Sequence, residues 1–62
     1  MRVLYNKKIW SFGKELSVDE LLNKLNIEIR QVVVLADGKK MEKNDNISKE
    51  ASVVIVENVR GG

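Results

Sequence analysis

Apolar and polar residues alternate from the first position of the chain. Met1, Val3 and Tyr5 fall on one side, and Arg2, Leu4 and Asn6 on the other. A period of two with β-branched and aromatic members predicts a strand over residues 1–6. Asn6-Lys7-Lys8 is a polar break, after which Ile9 to Phe12 resumes as a short, aromatic-rich strand ended by Gly13. Two strands so close in sequence predict a hairpin, although its turn lacks the strong Asn-Gly signal.

The period then changes to that of a helix. Val18, Leu21, Leu22 and Leu25 stand at i, i+3, i+4 and i+7, the spacing of one apolar stripe. Ser17 is a favourable N-cap, and Glu20 three residues later completes a capping box. Leu16 before the cap and Leu21 at the fourth helical position can form a hydrophobic staple. Asp19 and Glu20 suit the positive end of the helix dipole and Lys24 the negative end. Asn26 is an acceptable C-terminal cap. About two turns of helix are expected within Leu16 to Leu25, with Leu21, Leu22 and Leu25 directed into the core.

Asn26 to Arg30 reads as a connector in which Ile27 and Ile29 still touch the core. Gln31 to Ala36 is a nearly continuous β-branched run, as expected of a central strand covered on much of both faces. Asp37-Gly38 is a strong hairpin turn. Lys39 to Glu42 follows as a short charged strand suited to a sheet edge. Lys43-Asn44-Asp45-Asn46 is a polar loop that Ile47 anchors. Ser52 to Glu57 is the last strand, with Val53 and Ile55 on one face and Val54 and Val56 on the other. If the first face packs on the helix, two valines are left near solvent. They are either a docking patch or ordinary members of a two-sided strand.

The order strand, strand, helix, strand, strand, strand predicts an α+β domain. It is a mixed sheet of four to five strands with one helix packed across it, the β-grasp (ubiquitin-like) arrangement. The strands that the helix links are expected to run parallel, with a right-handed crossover. At 62 residues there is room for one domain, which buries only roughly 60% of its unfolded surface. Residues 1–58 are expected to form that domain, and residues 59–62 a flexible C-terminal tail.

Composition narrows the chemistry. The chain has no cysteine and no histidine, which excludes a disulfide, a thiol nucleophile, a Ser-His pair and the usual zinc site. Eleven basic and nine acidic residues leave a net charge of +2, a mixed solvated surface and not a nucleic-acid footprint. No apolar run nears the roughly 20 residues of a membrane span, and the start lacks the apolar core of a secretory signal. A soluble, cytoplasmic protein is expected. The acidic pair Asp19 and Glu20 is explained by helix capping and not by acid–base work.

The sequence finishes Val59-Arg60-Gly61-Gly62. Two terminal glycines make a slender, pliable end that can enter a narrow slot and present a carboxylate. Extended, Val59 to Gly62 reaches at most roughly 13 Å. With Met1-x-Val3-x-Tyr5-Asn6 at the start, Ser17-Val18-x-Glu20-Leu21-Leu22-x-x-Leu25 in the helix, a valine-rich third strand and a last strand running into the diglycine, the chain resembles the ubiquitin-like sulfur carriers of bacteria and archaea. The likeness covers essentially the whole chain and is greatest to the thiamine-pathway (ThiS) carriers, with the molybdopterin (MoaD) carriers as cousins. It departs from them at Lys7, where glycine is common, at Lys49-Glu50-Ala51, where Asp-Gly-Asp is common, and at Arg60, which is similar to the Arg-Gly-Gly end of ubiquitin.

The resemblance implies that the chain is not an enzyme and binds no cofactor of its own. A partner of the ThiF/MoeB type would adenylate the Gly62 carboxylate with Mg-ATP. A sulfur donor such as a cysteine desulfurase or rhodanese would then convert it to a thiocarboxylate, for use by an acceptor such as thiazole synthase in thiamine biosynthesis. Val59, Arg60 and Gly61 would be recognised by the partner, with Val54 and Val56 as its docking patch. Molybdopterin synthesis, tRNA thiolation and ubiquitin-like protein modification remain open as alternative destinations, as does a plain binding module with idle glycines.

Overall fold

A computed structural model describes residues 1–58 of the chain. It is an α+β fold, a mixed five-stranded sheet with one helix on one face. Strands β1 (Arg2–Tyr5) and β2 (Lys8–Ser11) form the first hairpin. Its two turn residues, Asn6 and Lys7, both adopt positive φ, 54° and 65°, the backbone twist that a two-residue hairpin turn requires. The hairpin therefore closes without the glycine that usually supplies this conformation, at some steric cost at Lys7.

A two-residue strand β3 (Leu16–Ser17) leads directly into helix α1 (Val18–Leu25). The helix starts here because each of its first four amides has a partner. Ser17 N–H donates to Glu20 Oε1 at 2.9 Å, and Glu20 N–H donates to Ser17 Oγ at 3.1 Å, the expected capping box. Val18 N–H and Asp19 N–H donate to the Asp45 and Lys43 carbonyls at 2.9 and 3.2 Å. A helix N-terminus normally leaves these donors orphaned, so the 43–45 loop completes what the box begins. Asn26 closes the other end in the left-handed region at φ 60°, and Ile27 N–H reaches back to the Leu22 carbonyl at 2.9 Å.

A short 3₁₀ turn, Ile29–Gln31, brings the chain to β4 (Val32–Ala36). The Asp37-Gly38 turn then reverses it into β5 (Lys39–Met41), again with two positive φ values, 52° and 82°. Strand β6 (Asn46–Ile47) pairs with β3, Leu16 opposite Ile47, as a separate two-stranded ladder. Last, β7 (Ser52–Glu57) returns through the middle of the sheet. The strand order is β2-β1-β7-β4-β5, with β7 parallel to β1 and antiparallel to β4. The helix thus connects strands β2 and β4, which run in the same direction but are separated by two others.

The core lies between α1 and one sheet face. Val3, Val34, Val53 and Ile55 from the sheet join Val18, Leu21 and Leu22 from the helix, with Leu16 and Ile47 from the small ladder closing one side. Leu25, Ile27 and Ile29 are only partly buried against this cluster. The helix stripe buries its first turns fully and lets its last one reach the rim. Each fully buried Leu, Ile or Val is worth about 1.5–3 kcal/mol relative to exposure, and such side chains are the core's main stabilising resource.

Candidate functional site

The middle strand has two unlike faces. Val53 and Ile55 are sealed in the core, whereas Val54 is 37% and Val56 44% exposed on the face opposite the helix. Register carries this apolar surface sideways. Leu4 stands opposite both Ile9 and Val54, and Val54 stands opposite Leu35, which faces Lys40. One row therefore crosses the whole sheet as Ile9, Leu4, Val54, Leu35 and Lys40, and Val33 and Val56 begin a second row beside it. Leu4 at 43% and Ile9 at 59% complete the exposed large hydrophobic residues among those described. A shallow pocket of about 160 Å³ opens on this face between Arg2, Leu4, Ile9, Ser52 and Val54.

The expected docking pair, Val54 and Val56, is thus brought together on an open face, and Leu4 and Ile9 join it. Sequence reasoning missed these two. Their signal is the opposite phase of the β1 alternation, but it points to a shared patch only once β1 is known to lie beside β7. Two basic residues flank the row. Arg2 flanks the row near Ser52, its partner on β7, and Lys40 ends the row at the β5 edge.

The backbone pairing of the strand runs to the end of the described residues. Past the Val32–Glu57 pair, Asn58 N–H donates to the Gln31 carbonyl at 2.8 Å, so backbone pairing persists to the last described residue. A groove of about 260 Å³ beside Asn58 is lined by Ile29, Arg30, Val33, Lys40, Glu42 and Lys43, among others. At the other end of β7, Ser52 is clamped across the sheet to Asp37. Ser52 N–H donates to Asp37 Oδ1 at 3.0 Å, and Asp37 N–H donates to the Ser52 carbonyl at 2.8 Å. Strand β7 is therefore fixed at both ends and paired on both sides. The proposed reacting and recognition residues Val59, Arg60, Gly61 and Gly62 lie outside the described residues.

The acidic pair Asp19 and Glu20 sits on α1, away from this face. Glu20 titrates below 4.5, chiefly because Ser17 N–H donates to its carboxylate, with the Ser17 hydroxyl and the charges of Lys14 and Lys24 acting in the same direction. Its ionised form is committed to the cap. Among the described residues, no cluster of three or more His, Cys, Asp or Glu is arranged to hold a metal. Within the same residues, no helix is long and apolar enough to cross a membrane. The face offers apolar contact flanked by Arg2 and Lys40. Comparisons with family models, with characterised proteins and with solved structures return no match.

Proposed function

We propose that the domain is a β-grasp carrier of the ubiquitin-like kind, and that its reacting group is the carboxylate of Gly62. In this reading a partner enzyme, using Mg-ATP, brings the α-phosphate in line with that carboxylate. The carboxylate oxygen attacks phosphorus, pyrophosphate leaves, and the resulting acyl-adenylate is a good acyl donor where the carboxylate was a poor one. The terminal sulfur of a donor protein's persulfide then displaces AMP to give an acyl disulfide. A thiol of the partner or donor protein attacks the other sulfur, which releases the thiocarboxylate and leaves a disulfide between those thiols. The thiocarboxylate is passed to an acceptor, with thiazole assembly for thiamine as the destination that the sequence resemblance implies. The carrier contributes position and no catalytic side chain. Glycine at 61 and 62 keeps the end narrow and its dihedrals unrestricted.

One observation carries the reading. The diglycine follows, after Val59 and Arg60, a central strand that is hydrogen-bonded up to Asn58. An anchored strand beside an open apolar face suits a partner that grips the face and receives the chain end. Val54, Val56, Leu4 and Ile9 would contact apolar side chains of that partner, with acidic residues opposite Arg2 and Lys40.

The test is intact-mass spectrometry of the protein after incubation with its activating enzyme, Mg-ATP and a sulfur donor. The expected products are first an adenylate and then a species in which sulfur replaces one oxygen, both lost on deleting Gly62. Val54→Asp should raise the KM for the carrier and leave the kcat of adenylation little changed. Absence of both products, while a control carrier reacts, refutes the proposal. Recovery of lysine-linked conjugates in place of a thiocarboxylate would reassign the chain as a protein modifier.

A further inference from the structure

The β2 edge of the sheet is unguarded, and its hydrogen-bonding groups can be assigned. Phe12 N–H donates to the Met1 carbonyl at 2.9 Å and the Met1 amine donates to the Phe12 carbonyl at 2.8 Å, so Met1 and Phe12 exchange both bonds. Bonded and non-bonded pairs alternate along an antiparallel ladder. Trp10 and Lys8 therefore bond to Val3 and Tyr5, whereas Ile9 and Ser11, opposite Leu4 and Arg2, turn their N–H and C=O groups away from β1. Among the described residues, no loop or helix bonds to them. The opposite edge, β5, carries Lys39 and Lys40, the usual protection against strand addition. β2 carries a single lysine, Lys8 at its first position, beside the most exposed large hydrophobic residue of the described chain, Ile9 at 59%.

We propose that β2 pairs antiparallel with β2 of a second copy of this chain, about a two-fold axis at Trp10. Four residue-centred registers place a two-fold axis within β2, and centring on Lys8 sets Ile9 against Lys7 in the left-handed turn. Centring on Ile9 sets Ser11 against Lys7, which is in the left-handed turn. Centring on Ser11 sets Ile9 against Gly13, beyond the strand. Only the Trp10 register sets Ile9 opposite Ser11 of the other copy on both sides of the axis, so that every outward N–H and C=O of these residues is paired. The side chains agree with it. Trp10 meets its own counterpart in a non-hydrogen-bonded pair, where side chains approach closest and aromatic pairs are favourable. Lys8 falls opposite Phe12, which allows a cation–π contact and keeps like charges apart. Trp10 is already oriented by Tyr5, whose ring lies 6.3 Å away, centroid to centroid. A four-residue strand makes an interface well below the usual stable size, so the dimer is weak and forms with rising concentration. It does not depend on the function proposed for the chain end.

Two measurements test this. Sedimentation velocity should show the mass approaching twice that of the monomer as concentration rises toward roughly 1 mM, the range suited to a small interface. Ser11→Pro removes an outward donor without touching a β1–β2 hydrogen bond, and proline is tolerated at sheet edges. It should therefore abolish dimerisation while leaving the circular dichroism spectrum unchanged. If Ser11→Pro unfolds the chain, Ile9→Lys, at an exposed position, serves instead. For register, Ile9→Cys and Ser11→Cys proteins are mixed in equal amounts and oxidised. The protein has no other cysteine, and the mixed disulfide should exceed both symmetric ones together. A monomer at every concentration, a dimer unaffected by these variants, or disulfides in statistical proportion would overturn the proposal. A monomer whose β2 edge pairs only with a strand of another protein overturns it equally.

Discussion

Replacing Val53 and Val54, adjacent on β7, by alanine in separate proteins tests the division of the sheet into a sealed and an open face. Each change removes two methyl groups, a transfer loss of about 1.6 kcal/mol when the site is fully buried. Val53 is 2% exposed and held between sheet and helix, so a void of roughly 40 Å³ should add about 1 kcal/mol. For Val54, 37% exposed, the transfer loss shrinks to about 1 kcal/mol. Water fills a surface notch, so no cavity cost follows. The strand-propensity loss of up to about 1 kcal/mol is common to both and cancels in the comparison. Val53→Ala should therefore cost about 1.5 kcal/mol more than Val54→Ala. A domain of this size has roughly 6 kcal/mol in total, so both variants stay folded. Urea unfolding at low micromolar protein, followed by fluorescence of the single tryptophan Trp10, reads the difference. With a slope near 1 kcal/mol/M, the midpoints should differ by about 1.5 M. Equal midpoints, or a larger loss for Val54→Ala, would mean that the second face is covered in solution and would refute the argument for an open docking surface.

Lys7→Gly should stabilise the fold by about 0.5–1 kcal/mol. It relieves a left-handed residue at φ 65°, and this gain exceeds the entropy that glycine adds to the unfolded chain; a lowered urea midpoint would contradict it. Ser17→Ala should cost about 1 kcal/mol by unmaking half of the capping box, measured in the same assay. Glu20, held below 4.5 in the fold by the Ser17 N–H, stabilises the native state at pH above its unfolded value. That contribution is lost as pH falls through the lower folded value. Glu20→Gln should accordingly flatten the decline of the urea midpoint below pH 4.5, and an unchanged slope would count against the assignment.

The parts of the fold legible in sequence are those whose signals are local. Ser17, Glu20 and the leucine spacing locate the helix start because cap and stripe lie within one short segment. Asp37-Gly38 specifies its turn for the same reason. Asn6-Lys7 makes an equally tight turn with no glycine to announce it. The β3–β6 ladder was not legible, since Leu16 and Ile47 lie far apart in sequence and each belongs to a strand of only two residues. The 3₁₀ turn at Ile29–Gln31 carries no capping side chain and so left no mark. Strand order was also hidden. The alternation of β7 gives two faces, but nothing in it says that Leu4 lies on one side of Val54 and Leu35 on the other.

That neighbourhood gives the open face its meaning. A central strand in contact with a parallel neighbour is ordinarily covered on both faces. A chain of 62 residues with one helix can cover only one. On the uncovered side threonine would serve the strand nearly as well as valine, since both are β-branched. Leu4, Ile9, Val54 and Val56 are therefore left exposed among the described residues, and the partner surface proposed above would cover them. Pairing at the β2 edge would engage Ile9 by its backbone, setting its side chain beside Ser11 of the second copy. The exit at Asn58 lies at the end of β7, separated from that edge by β1. A second copy would pair with the backbone of β2 at the sheet edge, whereas the partner enzyme would rest on the open face, so the two share only Ile9. If both proposals hold, Ser11→Pro should abolish the dimer without abolishing adenylation, whereas Val54→Asp should weaken adenylation and leave the edge intact.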